Sequence, residues 1–439
     1  MPDRPADKVP MPGEGDVYEP SLCLDDDSLL GMTGDFEIDD LEAPAQDADF
    51  HQWFNHGLAR LKSGQWKQAR SALALVVEKV PAGDALAGRA HALHGYASAK
   101  LGRHKEAVAS YESAIQSNPE SIEAMSGLAC VMFELGQFDQ ALAWARKAVE
   151  LHPGSAALRY NLGNIMLRMN QVQDAISAFK EAVQFDQALY PAHVNLSVAM
   201  AMTGHHAAAI EQLNHAMALE PKSRRVHTNR GIMLARLKRW DDAAQALYQS
   251  IEIEPGIGRV YIVLSIVEQC RGNTVAAMKI LNRCIDLELE KPKAFHNLGL
   301  IHSRLNHHDQ ALAAYLTAIQ LQPGYAKVYQ SLGREYGSMN QHRKAEQAFR
   351  KAVELRPSLT DSWRALAELA MLNGDTARAI EMLEESLSQD PFQTESNAAM
   401  AVLQLEAGHR DAAERCFEIL QQQNAPQVAS IRSLLYPGT

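Results

Sequence analysis

The chain has 439 residues, 46% hydrophobic and only 6% aromatic, with a formal charge of −11. That is too long for one compact core, and the composition suits helices packed through small aliphatic residues better than sheets. No stretch approaches the roughly 18 consecutive apolar residues of a membrane span, and the opening MPDRPADKVP lacks the apolar centre of a secretory signal.

Residues 1–49 come first and read differently from the rest. They hold fifteen Asp or Glu against Arg4 and Lys8, so the acid excess belongs to this tail and the remaining chain is close to neutral. Rich in Pro, Asp and Gly, the tail cannot bury enough surface to offset its ordering entropy, which predicts disorder when unbound.

From Phe50 onward a period emerges. Pro119, Pro153, Pro221, Pro255, Pro323, Pro357 and Pro391 are separated by multiples of 34, with Gln187 and Leu289 at the unoccupied steps. This places eleven units, beginning near Phe50, Gly88, Ile122, Ala156, Tyr190, Arg224, Gly258, Pro292, Ala326, Thr360 and Thr394, numbered here as repeats 1 to 11. Only the first junction breaks the period, within Ala82–Ala87.

Each unit predicts two helices. A small residue lies inside the first, as at Gly57, Gly95, Gly163, Gly231 and Gly299. Seven residues on comes a turn residue, Gly or Asn everywhere except Lys238, suited to the left-handed conformation that ends a helix. Five further on there is always alanine, from Ala69 through Ala175 to Ala413. The small residue and the alanine predict a close crossing of the two helices, and the proline closes the second helix because it lacks a backbone N–H.

This register resembles the tetratricopeptide repeat family. Tyr160-Asn161-Leu162-Gly163-Asn164 followed by Asp174-Ala175-Ile176 is close to its consensus, as is Asn297-Leu298-Gly299 with Gln310-Ala311-Leu312. The resemblance covers about residues 50–425. It implies an all-α solenoid, a right-handed superhelix of about eleven helix–turn–helix repeats whose first helices line a concave groove. Arrays of this kind need end caps. Residues 426–439 supply a capping helix and tail, with Val428, Ile431, Leu434 and Leu435 at helical spacing.

Chemistry is sparse. There is no HExxH, GxSxG or GxxxxGK[ST], and Asp25-Asp26-Asp27 lacks the glycine and terminal Glu of a calcium loop. His104, His206, His308 and His342 share one column with Trp66, Phe138 and Trp240, which reads as a half-buried packing position. His91 and His94 have no further ligand at metal spacing. The five cysteines (Cys23, Cys130, Cys270, Cys284 and Cys416) form no CxxC pair, which predicts free thiols in a reducing compartment, the cytoplasm. The expectation is a binding protein with neither catalytic site nor cofactor.

Candidate binding residues lie on the first helices. Asn55, Asn161, Asn195, Asn229 and Asn297 recur two residues before the small column. An amide offers both donor and acceptor, so it can pair with the backbone of an extended ligand whatever that ligand's sequence. The column is similar to the asparagine ladder of the superhelical repeat domain of O-linked N-acetylglucosamine transferases, and it is equally the family's generic consensus. Arg225, Arg259, Lys293 and Lys327 form a basic stripe as second residues of successive repeats. It would favour acidic ligand segments, or the chain's own tail; the plainer reading is a solvated helix edge. The family's clamp for carboxyl-terminal peptides is matched at Asn164, Asn195 and Arg225, while Tyr160 and Asn229 stand where two cations belong. With no platform of aromatic and basic residues, nucleic acid is not the expected partner. The leading expectation is a scaffold for an extended peptide. The alternatives are a regulatory or targeting subunit of a separately encoded enzyme, such as a glycosyltransferase, or a co-chaperone or assembly factor.

Overall fold

The computed structural model describes residues 44–45, 48–81 and 84–436, so the acidic tail assigned to residues 1–49 lies almost wholly outside the described residues. Among the described residues there are 23 helices and no strand. They form eleven helix pairs and a final single helix, an all-α solenoid architecture. The chain divides into two compact units, one running to Ile253 with repeats 1–6 and one from Glu254 with repeats 7–11.

The start of each first helix follows from its cap. Ser121, Ser155 and Ser223 each accept a hydrogen bond from a backbone N–H of the first turn, satisfying a donor the helix leaves open. The observed first helices begin where the period predicts, except in two repeats. In repeat 2 the helix spans Ala85–Lys100, because Asp84 caps it three residues early and turns the irregular junction into an extra turn. In repeat 8 it spans Lys291–Arg304, with Pro292 in its first turn.

Three residues join the two helices of a pair, and the turn residue carries a positive φ: 75° at Gly136, 60° at Asn170 and 58° at Lys238. Gly136 N–H returns to Phe133 O and Gln137 N–H to Met132 O, so the last carbonyls of the helix are paired. Second helices then end just before the proline, as Phe138–Leu151 does ahead of Pro153. Where Leu289 replaces proline, the second helix is Thr274–Asp286 and stops one residue short. The chain instead turns through Glu288 and Glu290, both with positive φ (60° and 42°).

The core lies between the two helices of each pair and between neighbouring pairs. Every alanine of the invariant column, Ala69 to Ala413, has 0% exposure. The small residue faces a large one sixteen positions on. A Cβ on Gly163 would lie 2.7 Å from the Phe179 ring, and one on Gly333 would lie 2.8 Å from Phe349. Tyr111 packs against Gly95 of its own repeat and also against Gly127 of the next, where a Cβ would collide with its ring. The final helix, Val428–Leu435, buries Ile431 and Leu435 against Phe417 and Leu420, and Arg410 Nη2 donates to Leu435 O at 2.8 Å. It closes the apolar face that repeat 11 would otherwise leave open.

The Tyr111 hydroxyl is buried without a hydrogen-bond partner, and burial pushes its ionisation well above the ordinary range. Tyr111→Phe should therefore leave the stability to urea unchanged or raised, whereas Tyr111→Ala should cost about 3–5 kcal/mol. Gly163→Val should cost about 1–3 kcal/mol by overpacking Phe179.

Candidate functional site

The predicted binding residues divide between the two units. In the first unit, the first helices of repeats 4, 5 and 6 (Ala156–Arg168, Tyr190–Met202 and Arg224–Arg236) lie side by side. Asn161, Asn164, Asn195 and Asn229 are all buried there, and Arg225 is half-buried. Asn195 is the hub. Its Nδ2 donates to Asn164 Oδ1 at 2.7 Å and to the Tyr160 hydroxyl at 3.1 Å, and its Oδ1 accepts from Arg225 Nη2 at 2.9 Å. The three residues that match the carboxyl-terminal clamp are thus brought together, but they satisfy one another.

The flanking asparagines differ. Asn161 Nδ2 donates weakly to Ser126 Oγ at 3.4 Å in the preceding first helix, and its Oδ1 is buried with no partner. Asn229 Nδ2 is likewise buried with no partner. An unpaired buried amide atom costs about 1–3 kcal/mol, so these two atoms stand out on either side of a saturated hub.

In the second unit the remaining candidates are dispersed in role. Asn297 Nδ2 donates to Lys293 O of its own helix at 2.8 Å. Lys293 pairs with Glu290 at 3.0 Å, Lys327 is exposed, and Arg259 is half-buried at the start of Gly258–Cys270. Asn55, in repeat 1, is exposed.

Two features escaped sequence reasoning. From Pro221 to Trp240 there is no acidic residue, while Arg224, Arg225, Arg230, Arg236, Lys238 and Arg239 all fall in that span, so repeat 6 has a strongly basic first helix. A count of charge per helix, rather than per column, reveals it. The histidine column also does more than pack: His308 Nδ1 lies 2.6 Å from the buried Glu335 carboxylate, and His104 lies 3.3 Å from Glu134 of the next repeat.

Among the described residues no group of three or more His, Cys, Asp or Glu is placed to hold a metal ion. Among the described residues no helix is long and apolar enough to cross a membrane. Cys130, Cys284 and Cys416 are buried and, with the half-buried Cys270, carry no disulfide. Burial pushes the Cys284 thiol up to about 11, with Glu290 adding to the shift, which makes it a poor nucleophile.

Tetratricopeptide-repeat family models match residues 54–122, 203–256 and 331–394, residues 292–325, and residues 370–435. A model described as anaphase-promoting complex, cyclosome, subunit 3 matches residues 100–182. No curated protein matches the sequence. Among solved structures, yeast Tom70 is similar at 13% identity with a TM-score of 0.53, covering 88% of this chain and 95% of that one. The Cut9–Hcn1 hetero-tetramer structure is similar at 14% identity and a TM-score of 0.43, covering 88% and 84%. YrrB, described as a tetratricopeptide-repeat protein with an unusual peptide-binding site, is similar at 21% identity and a TM-score of 0.38, covering 43% and 96%. At these identities the likeness is one of fold.

His296, beside Asn297, is buried against Ser331 Oγ at 2.9 Å. Burial, reinforced by the Lys327 charge, holds its pKa down to about 4 against an ordinary 6.5. The unfolded chain therefore binds this proton first, so the contribution to stability is intact above pH 6.5 and drains away as pH falls toward 4. Acidification across that window should cost on the order of 3 kcal/mol at this site. Urea titrations of His296→Gln should show a shallower pH slope than the wild type over the same range.

Proposed function

The chain is a tetratricopeptide-repeat protein, a scaffold for protein–protein interaction, and from that premise we propose that it captures an extended peptide segment across the first helices of repeats 4–6. The observation that carries this reading is the pair of unpartnered amide atoms, Asn161 Oδ1 and Asn229 Nδ2, either side of the saturated Asn195. Rotation of each side-chain amide would offer an acceptor to a ligand N–H and a donor to a ligand carbonyl. Adjacent helices pack about 8–10 Å apart, so rungs two repeats apart would span about 16–20 Å. At roughly 3.3 Å per extended residue, the ligand contacts fall five or six residues apart. Asn164, Asn195, Arg225 and Tyr160 form the rigid floor beneath the segment rather than its binding groups. Asn297, Lys293, Lys327 and Arg259 belong to the second unit and take no part in this site.

The basic first helix of repeat 6 favours acidic segments. The chain's own residues 1–49, with Asp25, Asp26 and Asp27 among their acids, are such a segment and would compete for the same helix.

Peptides selected from a random library against the full chain provide the test. Asn161→Ala with Asn229→Ala should weaken their binding by about tenfold or more, and Asn55→Ala should not. Unchanged affinity in the double variant would remove the amide-pairing reading. Neutralising Asp25, Asp26 and Asp27 to Asn should raise affinity for an acidic peptide at low salt, with the gain disappearing near 1 M salt, where charges are screened beyond about 3 Å. Equal affinities at low salt would dismiss the competition.

A further inference from the structure

The charge of the repeat array changes sign near repeat 10. Residues 50–357 carry thirty-five Lys or Arg against twenty-six Asp or Glu, whereas residues 358–439 carry five Arg against twelve Asp or Glu. No lysine occurs among residues 352–439. The reversal shows at one register position, the last residue of the first helix. Lys62, Lys100, Arg168, Arg236 and Arg304 fill it in earlier repeats, matching the preference of a helix end for cations. Repeats 10 and 11 place Leu372 and Glu406 there.

These two first helices, Thr360–Leu372 and Thr394–Glu406, both pack on Thr376–Gln389. Their outer faces carry an apolar stripe. Leu372 is 71% exposed, more than any other large apolar side chain among the described residues, and Met371 is 44% exposed. Ala365, Ala399, Val402 and Leu405 are half-buried along the same faces.

Acids rim the stripe. Glu368, Glu395 and Glu406 are exposed and Asp361 is half-buried. Arg364 pairs with Asp361 at 3.6 Å and with Glu368 at 2.8 Å, and Arg334 of repeat 9 pairs with Asp361 at 2.9 Å. Both arginines beside the stripe are thus already held by its acids. Glu395 and Glu406 have no cation partner among the described residues. The helix dipole accounts for Asp361 and Glu395, which lie in first turns. It acts against Glu406, which ends its helix in a last turn with no basic residue.

We propose that the outer faces of the first helices of repeats 10 and 11 dock a short apolar segment flanked by Lys or Arg on a partner protein. Charge selects this occupant. The surplus at the rim is acidic, so it attracts cations and repels the chain's own residues 1–49, with their fifteen acids against two cations. Glu395 and Glu406 lie eleven residues apart on one helix, about 16 Å, and so bracket about five residues of an extended segment. Such a partner is opposite in charge to the acidic segment favoured by repeat 6, which leaves one chain able to hold both. The site uses neither Asn161 nor Asn229, so it stands or falls independently of the peptide reading.

Fluorescence anisotropy with the full chain tests it. The probe is a labelled peptide of about five alternating leucines and alanines with a pair of lysines at each end. At about 0.1 M salt the wild type should bind it. Counterparts with glutamate for lysine, or serine for leucine, should bind at least about tenfold more weakly. Glu395→Lys/Glu406→Lys should weaken the lysine probe about tenfold and take up the glutamate probe instead. Met371→Ser/Leu372→Ser, at exposed positions, should also weaken the lysine probe about tenfold. Glu381→Gln/Glu384→Gln, on the second helix of repeat 10, should change nothing. Circular dichroism confirms that each variant keeps its helicity. A wild type that does not bind the lysine probe, rim or stripe variants that bind it unchanged, or an equal loss in the Glu381/Glu384 variant would overturn the proposal. So would a wild type that sediments as more than one chain and a Met371/Leu372 variant that sediments as one, because the occupant would then be a second copy.

Discussion

The structure depends on how closely the two helices of a repeat approach. A fully buried alanine on the second helix and a small residue on the first bring the backbones together. A large side chain such as Phe179 then fills the space over Gly163, where even a methyl group would intrude. A single helix pair held this way still has an apolar face on each side, and stacking covers it. Neighbours therefore stabilise one another in sequence, as expected of a quasi-one-dimensional array, and the last face needs the helix Val428–Leu435 with its buried Ile431 and Leu435.

Much of this was legible before any coordinates, because the constraints act on residue types that have few substitutes. A left-handed turn selects Gly or Asn, a close crossing selects Ala, and a helix stop selects Pro. The opposing column was not legible in the same way. Leu73, Tyr111, Phe179 and Tyr315 share one register and one task but no chemical type, so no identity recurs for the eye to catch. The early start at Ala85 was hidden because the capping Asp84 falls where the period itself breaks.

The asparagines show where register reasoning ends. Asn195 and Asn297 occupy the same position in their repeats, yet one bonds three neighbouring side chains and the other its own helix backbone. The difference comes from Tyr160 and Asn164 on the preceding first helix and Arg225 on the following one, residues that a column-by-column comparison treats separately. A ladder of identical rungs thus becomes a saturated hub with an unsatisfied amide on each side. The binding surface inferred from it depends on the flanks rather than on the most completely bonded member.

The missing proline at Leu289 has a consequence of its own. There the chain stops its helix with two glutamates in left-handed conformations, and salt bridges from Lys291 and Lys293 hold them (2.6 and 3.0 Å). At the other joints of the second unit, Pro323, Pro357 and Pro391, the stop is covalent, built into a ring that ions cannot loosen. Here the turn is held by ion pairs between residues three apart, so the helix stop itself varies with the surrounding electrolyte. Among the joints of the second unit, this is the one where salt acts on the helix stop itself rather than only on contacts beside it.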